Sequence, residues 1–534
     1  MYSKWWSVLL GAVAMLVATA CGGGPDIAEL TYFCDTAPPA PHGGERCGEG
    51  DPNLPPEPTF PTEICQTLVA EKSSPDENNI DTARLQAALT ACRGGTGAVK
   101  LVANGQNNAF VSGHLALDSV ILWIDAGVTL YMSRNAEFFQ KTGSCGIIGI
   151  NDSGACNDFI SVSGTNPGIV GDGAIDGQGD QPLVGHDYSW WQLSNALRII
   201  DGSIGNPTMI NLLTRTTGFL IYRINLYNSA KFHVKITSSP TDGTCDWRGE
   251  GFTVWGINIL TPSRWFNSQG LFLTPHSARN TDGVDPGTTS LATCGVIACN
   301  TISTSDDQIA IKGGHWVSDL TIAHNHFGTG HGMSIGSETY GRHTTPDGLT
   351  HRGVEKVDIY DLTIDADSRA VGFESSSADS NGIRIKSDSS RGGVVNDITY
   401  TNVCMRDMSN AILVSTAYNP LFAGTSYPEF GTFTFKDVRH VTCMGTTQPV
   451  VTLEGFNSLR PAGPIKLDNV VIDNIGPQAV AAEYANIELG PGKVNFTPTG
   501  HSVSLTNAIT EDTKPIPCVF PKLPTPDMPA GWLR

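Results

Sequence analysis

The feature that most constrains the fold is a recurring pattern of short apolar strands with no helix between them. Several stretches share an apolar doublet, a polar turn and an alternating strand. Their equivalent inward positions are predicted to be Ile309/Ile311, Met333/Ile335, Ile383/Ile385 and Ile412/Val414. The interval from Ile309 to Met333 is 24 residues. A recurrence in the low twenties of residues is typical of a parallel β-helix with one coil per repeat. An antiparallel sandwich or propeller is less favoured, because neither an Asn-Gly hairpin series nor a blade motif is present.

Charge and composition restrict the classes of partner. The 534 residues include 33 Lys+Arg and 52 Asp+Glu, a net charge of −19, and only 16% of residues are charged. So acidic a chain is not expected to bind nucleic acid or an anionic membrane. An anionic substrate would need a local cationic patch. The strand-like sequence N-G-I-R-I-K-S at residues 381–387 sets Arg384 and Lys386 on one outward face.

The N-terminal segment has the pattern of an export signal. Lys4 precedes an apolar run at residues 5–20, a length that suits a signal peptide better than a membrane span. Residues 18–20 (Ala-Thr-Ala) fit ordinary cleavage, and the same stretch resembles a bacterial lipobox with Cys21 as the acylated residue. We therefore expect bacterial-type export, to the cell envelope or beyond the cell.

The rest of the chain is predicted to have two parts. Residues 21–62 are rich in Pro, Gly and acidic residues and are expected to form a tether or a wrapped extension. Residues 63–534 are expected to form the β-helix domain. Near its start, the apolar spacing of residues 80–92, with Asp81 as a possible N-cap, predicts a short helix that caps the first coil. No later helix is predicted.

The cysteines indicate an oxidising compartment. Of 13 Cys, 12 remain when Cys21 is set aside, an even number that suits disulfides. The sequence does not fix their connectivity; the close pairs that are candidates for disulfides are Cys34/Cys47, Cys65/Cys92 and Cys145/Cys156. Zinc is a poor interpretation of Cys294 and Cys299, because no matching second pair follows.

Three carboxylates and one imidazole recur with the coil period. The interval from Asp282 to Asp306 equals the interval from Asp307 to His331, and both equal the strand recurrence described above. If one coil takes that length of chain, these groups lie on neighbouring coils about 4.8 Å apart. Crowded carboxylates raise one another's pKa, so at least one is expected to stay protonated near neutrality. A protonated acid beside an ionised base is the equipment of glycoside hydrolysis.

Four short motifs in this order resemble glycoside hydrolase family 28, the polygalacturonases. They are N-T-D-G at residues 280–283, D-D at 306–307, G-H-G at 330–332 and R-I-K at 384–386. The resemblance covers roughly residues 65–475. It implies a right-handed parallel β-helix and inverting hydrolysis of α-1,4-linked galacturonan, with no metal and no cofactor.

The resemblance also implies roles for individual residues. Asp306 is similar to the general acid of the family, and Asp282 and Asp307 are similar to the pair that activates water. His331 is similar to the family histidine that tunes the acid and contacts substrate. The implied substrate-binding residues are Arg384, Lys386, Tyr418, Asn280 and, from its outward position on a neighbouring strand, Lys312. Polygalacturonate or pectin is thus the expected substrate, and a monomer is expected.

Several alternatives stay open from the sequence. A calcium-dependent pectin lyase, a rhamnogalacturonan hydrolase and a non-catalytic β-helix adhesin are the competing classes. The interval from His331 to Arg384 exceeds one short coil, and residues 339–353 and 370–379 are predicted insertions that form a loop or an additional coil. A further insertion is predicted at residues 237–250. Because such loops can close one end of a groove, endo and exo cleavage are both allowed.

Overall fold

The protein is described by a computed structural model that covers most of the chain. It describes residues 36–37, 47–198, 205–213, 216–237, 251–287, 291–314, 316–344, 350–366, 380–418, 424–443 and 448–526. The predicted signal peptide, the acylation site Cys21 and the insertion at residues 370–379 lie outside these ranges, as does all of the insertion at 237–250 except its first residue. Those predictions stay predictions. None of the helices in the described ranges is both long and apolar enough to span a bilayer.

One parallel sheet, which we call the cleft sheet, contributes one strand to each successive coil. Its eleven strands pair in chain order, each with the strand of the coil before and the coil after. In that order they are Leu115–Asp118, Ile160–Ser163, Ile210–Leu212, Val234–Ile236, Val284–Pro286, Ile309–Ile311, Met333–Ile335, Asn381–Lys386, Asn410–Ser415, Val450–Glu454 and Val480–Glu483. The architecture is therefore the predicted right-handed parallel β-helix.

A second sheet of 23 strands closes the remaining sides of the solenoid. Its strands are Ile64–Val69, Ala98–Val102, Ala109–Ser112, Ile121–Ile124, Thr129–Met132, Gly168–Val170, Ala174–Asp176, Phe219–Tyr222, Asn225–Tyr227, Phe252–Trp255, Asn258–Leu260, Leu291–Ala298, Thr301–Ser303, Trp316–Ala323, His326–Phe327, Arg342–Thr344, Thr350–Asp365, Val394–Arg406, Glu429–Phe430, Phe433–Val441, Ala462–Ile472, Ala485–Leu489 and Ser504–Asn507. Thr36–Ala37 and Phe520–Pro521 form a separate parallel pair.

The predicted inward positions are confirmed by the pairing register. Ile309 and Ile311 pair with Met333 and Ile335, which pair in turn with Ile383 and Ile385, and these pair with Ile412 and Val414. All eight side chains are 0–1% exposed. They belong to one continuous apolar core that runs inside the coils. Each fully buried aliphatic side chain of this kind contributes about 1.5–3 kcal/mol to folding.

The predicted N-terminal helix is present as Thr82–Ala91, and it contacts the strands Ala109–Ser112 and Leu115–Asp118. Its buried residues Leu85 and Leu89 cover the first coil. Asp81 occupies the N-cap position, as predicted, but its carboxylate makes no capping hydrogen bond. That carboxylate accepts instead from Lys72 Nζ at 2.8 Å and from the Val111 backbone N at 2.8 Å, because a buried acid needs a strong partner.

The prediction that no second helix follows is wrong. Trp190–Arg198 is an α-helix, and short 3₁₀ helices occur at Ala136–Phe139, Pro275–Ser277 and Pro477–Ala479. Trp190, Leu193 and Leu197 are buried and stand at helical spacing, so the signal was in the sequence. The segment was missed because it is a single short helix between strand-like runs.

Two predicted disulfides, Cys65–Cys92 and Cys145–Cys156, are confirmed. The candidate pair Cys34/Cys47 is wrong, because Cys47 is bonded to Cys299. A fourth disulfide joins Cys404 to Cys518. Both Cys294 and Cys299 are disulfide-bonded, so neither is a free metal ligand.

The extension packs on the β-helix where it is described. Besides the Cys47–Cys299 disulfide, the Asp51 carboxylate lies 2.9 Å from His324 Nε2 and accepts from the Tyr360 hydroxyl at 2.8 Å. Phe60 stacks on Trp123 with ring centroids 5.1 Å apart. These contacts bring Cys47 beside Cys299 across the outer face of the solenoid.

The long interval between His331 and Arg384 is one coil, not two. Met333 pairs directly with Ile383 on the cleft sheet, so no further cleft strand lies between them. The insertion at residues 339–353 contains an antiparallel hairpin, in which Arg342–Thr344 pairs with the start of Thr350–Asp365. This hairpin follows the cleft strand Met333–Ile335 in the chain and therefore lies at the edge of the cleft sheet where the strands end.

Candidate active site

The four recurring acid and imidazole groups meet where consecutive cleft strands begin. Each residue lies two positions before its strand: Asp282 before Val284–Pro286, Asp307 before Ile309–Ile311, and His331 before Met333–Ile335. Backbone hydrogen bonds lock the three starts together: Gly283 N donates to Asp307 O at 2.9 Å, and His331 N donates to Asp306 O at 2.9 Å. The sequence-predicted cluster is therefore assembled.

The register differs from the prediction by a single position. Val284 pairs with Ile309, and Ile309 pairs with Met333, so the first of these two coils is one position longer than the second. Asp282 is therefore level with Asp307 and not with Asp306. Two glycines make the close stacking possible. A Cβ on Gly283 would collide with Gln308 O, and Gly332 adopts a φ of 84° beside Gly382 O.

Asp307 is a buried anion held between two cations. Its side chain is 2% exposed. Oδ1 accepts from Arg384 Nη1 at 3.0 Å and from the Ser334 hydroxyl at 2.7 Å, and Oδ2 accepts from Lys386 Nζ at 2.9 Å. Burial alone would raise the pKa of Asp307, but Lys386 and Arg384 more than offset it and hold the pKa below its usual value.

Asp306 forms an ion pair with His331 at the surface of the cleft. His331 Nδ1 lies 3.1 Å from Asp306 Oδ1. Their side chains are 20% (Asp306) and 32% (His331) exposed, compared with 2–3% for Asp307 and Asp282. Among the three carboxylates, Asp306 is thus the one that a substrate can reach.

The pKa shifts of this pair favour its ionised form, an aspartate beside an imidazolium. Burial disfavours the charged form of both groups. The attraction and hydrogen bond between them outweigh burial, lowering the pKa of Asp306 and raising that of His331. The expectation that crowding protonates a carboxyl therefore does not hold at Asp306.

The pKa values of Asp282 and of Asp285, a residue the sequence reasoning missed, are shifted in the direction that crowding predicts. Burial, together with the neighbouring carboxylates, raises the pKa of Asp282 well above its ordinary value, and burial raises the pKa of Asp285 to about 7. Asp282 Oδ2 lies 3.6 Å from Lys312 Nζ, and its Oδ1 is buried without a hydrogen-bond partner in the described part of the chain. That oxygen is free to accept from a water or a substrate.

Lys312 is placed by two carboxylates and is itself shielded from solvent. Its ammonium lies 3.6 Å from Asp282 and 3.7 Å from Glu338 Oε2, and its side chain is 12% exposed. Burial opposes its charge, but Asp285 and Asp282 raise the pKa of Lys312 well above its ordinary value. The predicted cation is therefore in the site, and it neutralises the protein's own carboxylates there.

Tyr418 joins the cationic pair, as the sequence placed it. Its hydroxyl accepts from Arg384 Nη2 at 3.0 Å, and Lys386 Nζ lies 5.1 Å from the ring centroid. Tyr418 is 40% exposed, whereas the Arg384 and Lys386 side chains are 7% exposed. Asn280 is half-buried with a φ of 57° and makes no hydrogen bond to the carboxylates among the described residues.

Two residues position the cluster and were missed. Ser334 points outward between Met333 and Ile335, yet it is 0% exposed and its hydroxyl donates to Asp307. Gln308 accepts from Gly332 N at 2.6 Å and donates to Gly328 O at 2.7 Å, which fixes the loop that carries His331. The available signals were that Gln308 directly follows Asp307 and that Ser334 closely follows the G-H-G motif.

The carboxylates and imidazole of this cluster are close enough together to be considered as metal ligands. Single ligand atoms of Asp306, Asp307 and His331 lie within 4.8 Å of one another. Both oxygens of Asp307 already accept from Arg384, Lys386 and Ser334, and two cations beside them oppose a third. The donor set is therefore a poor fit for a divalent ion.

Comparisons with known proteins find relatives over most of the chain. A family model, Glycosyl hydrolases family 28, matches residues 110–491. A polygalacturonase of Ralstonia nicotianae is 34% identical over 85% of this chain and 86% of its own length. An endo-polygalacturonase of Pectobacterium parmentieri is 38% identical over 76% of this chain and 86% of its own.

A solved structure gives the same result. The polygalacturonase from Erwinia carotovora ssp. carotovora superimposes with a TM-score of 0.61 at 31% identity, covering 87% of this chain and 98% of that one. With the family model matching well over half of the residues and relatives above 30% identity, the chain belongs to glycosyl hydrolase family 28 and is a glycoside hydrolase.

Proposed function

We propose that this protein hydrolyses α-1,4-galacturonosyl linkages of polygalacturonate and pectin. The observation that carries the proposal is that a carboxylate able to act as an acid lies beside a group of cations. Asp306, a carboxylate open to the cleft, lies beside Asp307, which is bound by Arg384 and Lys386. Besides pairing with the protein's own carboxylates, cations at the reacting groups can bind the carboxylates of a polyuronate, which a neutral polysaccharide lacks. The relatives named polygalacturonases support the same substrate class.

The roles are assigned from the exposure of each carboxylate and from which carboxylate oxygen has no hydrogen-bond partner among the described residues. Asp306 donates the proton to the leaving oxygen, because it is the exposed carboxylate and has His331 as a proton partner. Asp282 and Asp307 orient and activate the water; Asp282 supplies the free Oδ1, and Asp307 supplies fixed negative charge. His331 also lies where it can contact the sugar.

The protonation of the free site must rearrange for these roles. Before substrate binds, the pKa of Asp282 is raised and that of Asp306 is lowered, which is the reverse of what the base and the acid need. The titrations of these groups are coupled, so the protons belong to the set rather than to one carboxylate. We propose that substrate binding moves a proton within the set onto Asp306 before the bond breaks.

Inversion of configuration is part of the proposal and rests on family membership. Ligand oxygens of Asp306 and Asp307 lie within 4.8 Å of one another. Inverting glycosidases commonly have carboxyl groups about 6.5–9.5 Å apart and retaining ones about 5–5.5 Å. The separation lies below both ranges and nearer the retaining one, so the spacing gives no support for inversion. Asp306 and Asp307 both engage protein cations, so neither is a free nucleophile, which favours attack by water.

Chelation separates hydrolysis from calcium-dependent elimination. We expect polygalacturonate cleavage to continue at an unchanged rate in EDTA and to yield saturated oligogalacturonides, because the carboxylates are neutralised by Lys and Arg. The measurement is a time course of products by chromatography, with and without EDTA and with added Ca²⁺. Loss of activity in EDTA with recovery in Ca²⁺, or unsaturated UV-absorbing products, would establish a lyase instead.

A further inference from the structure

A second cationic site lies on the cleft floor, on the other side of the carboxylates from Arg384 and Lys386. Lys235 is the outward residue of the strand Val234–Ile236, whose two flanking residues are buried. Lys231 lies shortly before it, at the approach to the same strand, and both side chains are partly exposed. Neither was singled out by its sequence motif.

The pairing register places Lys235 and Arg384 in one outward row. Lys235 pairs with Asp285, and on later coils Ala310 pairs with Ser334, which pairs with Arg384. Because Val284 pairs with Ile309, Asp285 is level with Ala310. The two cations are four coils apart, about 19 Å at a spacing of about 4.8 Å per coil. The reacting carboxylates lie between them.

The charges around Lys235 differ from those around the other cleft cations. Lys312, Arg384 and Lys386 each form an ion pair with a carboxylate. In the part of the chain that is described, Lys235 forms no such pair. The closest acidic influences on it are Asp158 and Asp285.

Among the described residues, neither Asp158 nor Asp285 forms an ion pair with Lys235. Asp158 Oδ2 accepts from the Asn211 amide at 2.8 Å, and burial raises the pKa of Asp285 to about 7, so that it carries only part of a negative charge near neutrality. The Lys235 ammonium is therefore available to an incoming anion.

Lys231 adds a second charge to the same place. Burial lowers the pKa of Lys231 to about 8, and repulsion from Lys235 contributes to the lowering. Burial likewise lowers the pKa of Lys235. A ligand carboxylate that approaches both ammonium groups offsets their mutual repulsion.

We propose that Lys231 and Lys235 bind a galacturonate carboxylate of the substrate chain on the side of the scissile bond opposite to Arg384 and Lys386. The inference rests on the proposed function, and it names the residues that hold the chain across the reacting groups. With cations on both sides, a polyuronate lying along the solenoid axis is fixed at two points. Where the bond is cut then depends on both.

The test compares Lys231→Gln and Lys235→Gln with Lys436→Gln. Lys436 is an exposed lysine on the outer strand Phe433–Val441, so its replacement makes the same charge change away from the cleft. We expect each cleft variant to lose about tenfold in kcat/KM on polygalacturonate, the equivalent of one charge-assisted contact. The products from oligogalacturonides of defined length should shift to a different cleavage position.

Two further arms make the result specific. Lys235→Arg should keep most of the activity, and the loss in Lys235→Gln should shrink on highly methyl-esterified pectin, where the carboxylate is masked. If the wild type cleaves polygalacturonate and both cleft variants match Lys436→Gln in rate and product pattern, this inference is overturned and the proposed function stands. A wild type that does not cleave polygalacturonate would overturn the proposed function, and this inference with it.

Discussion

Asp306→Asn is expected to lower kcat on polygalacturonate by roughly 10²–10⁴-fold, the contribution of a positioned general acid. The amide keeps the shape and still accepts from His331, so substrate binding should persist. The expected loss should be far smaller on an aryl glycoside of an oligogalacturonate with a good leaving group, because that group departs without a proton. Steady-state kinetics on both substrates measure the difference.

Asp282→Asn is the matched control for this prediction. It is an equally isosteric change at a buried carboxyl, whose pKa burial and the neighbouring carboxylates raise. If Asp282 activates water, its variant should lose activity on both substrates alike. Rescue of Asp282→Asn but not Asp306→Asn by the good leaving group would show that the acid role belongs to Asp282. Near-normal turnover of Asp306→Asn would contradict the assignment outright.

Arg384→Gln is expected to lower kcat/KM on polygalacturonate by roughly ten- to hundredfold, as loss of a charge-assisted bond of about 1.5–3 kcal/mol implies. The structure changes one part of the sequence-based expectation. Arg384 is not free on an outer face but is buried against Asp307, His331 O and Tyr418. The variant should therefore also lose thermal stability.

The pH dependence of that stability loss has a definite sign. Arg384 and Lys386 hold the pKa of Asp307 below its unfolded value, so their ion pairs stabilise the fold above the unfolded pKa. The stabilisation is lost as pH falls through the folded pKa. The difference in melting temperature between wild type and Arg384→Gln should narrow in that acidic range.

A matched control separates substrate binding from ion pairing. Arg406 lies outside the cleft sheet, is buried and donates to Asp365 at 2.8 Å, so Arg406→Gln breaks a comparable buried pair. If Arg384 binds galacturonate, only Arg384→Gln should lose more on polygalacturonate than on highly esterified pectin. Equal fractional losses on the two substrates would leave Arg384 with a purely structural role.

The solenoid could be predicted because its code is local and repeated. Ile309 and Ile311 alternate with outward residues, and the same pattern returns on the next coil, so the inward row was visible in the sequence. The single-position slip that aligns Asp282 with Asp307 was not visible, because turn lengths vary from coil to coil. Nor was the Cys47–Cys299 disulfide, which depends on how the extension crosses the finished surface.

Site residues within short contiguous motifs were predicted from the sequence. Single residues that join the site only through the pairing of strands on successive coils were missed. Asp282, Asp306, Asp307 and His331 stood in recognisable short motifs. Lys235 carries no motif and gains its meaning only from its place in the row that leads to Arg384. The protonation states were beyond sequence reasoning as well, since they depend on burial and on which cation reaches which oxygen.

The most direct test of the central claim is the anomeric configuration of the first product. Proton NMR in D₂O, recorded early in the digestion of polygalacturonate by the wild-type protein, observes the new reducing end before it mutarotates. Direct attack of water on an α-linkage predicts that the β-anomer appears first. A first-formed α-anomer would require a covalent intermediate, and an unsaturated product would require elimination; either result would contradict the account.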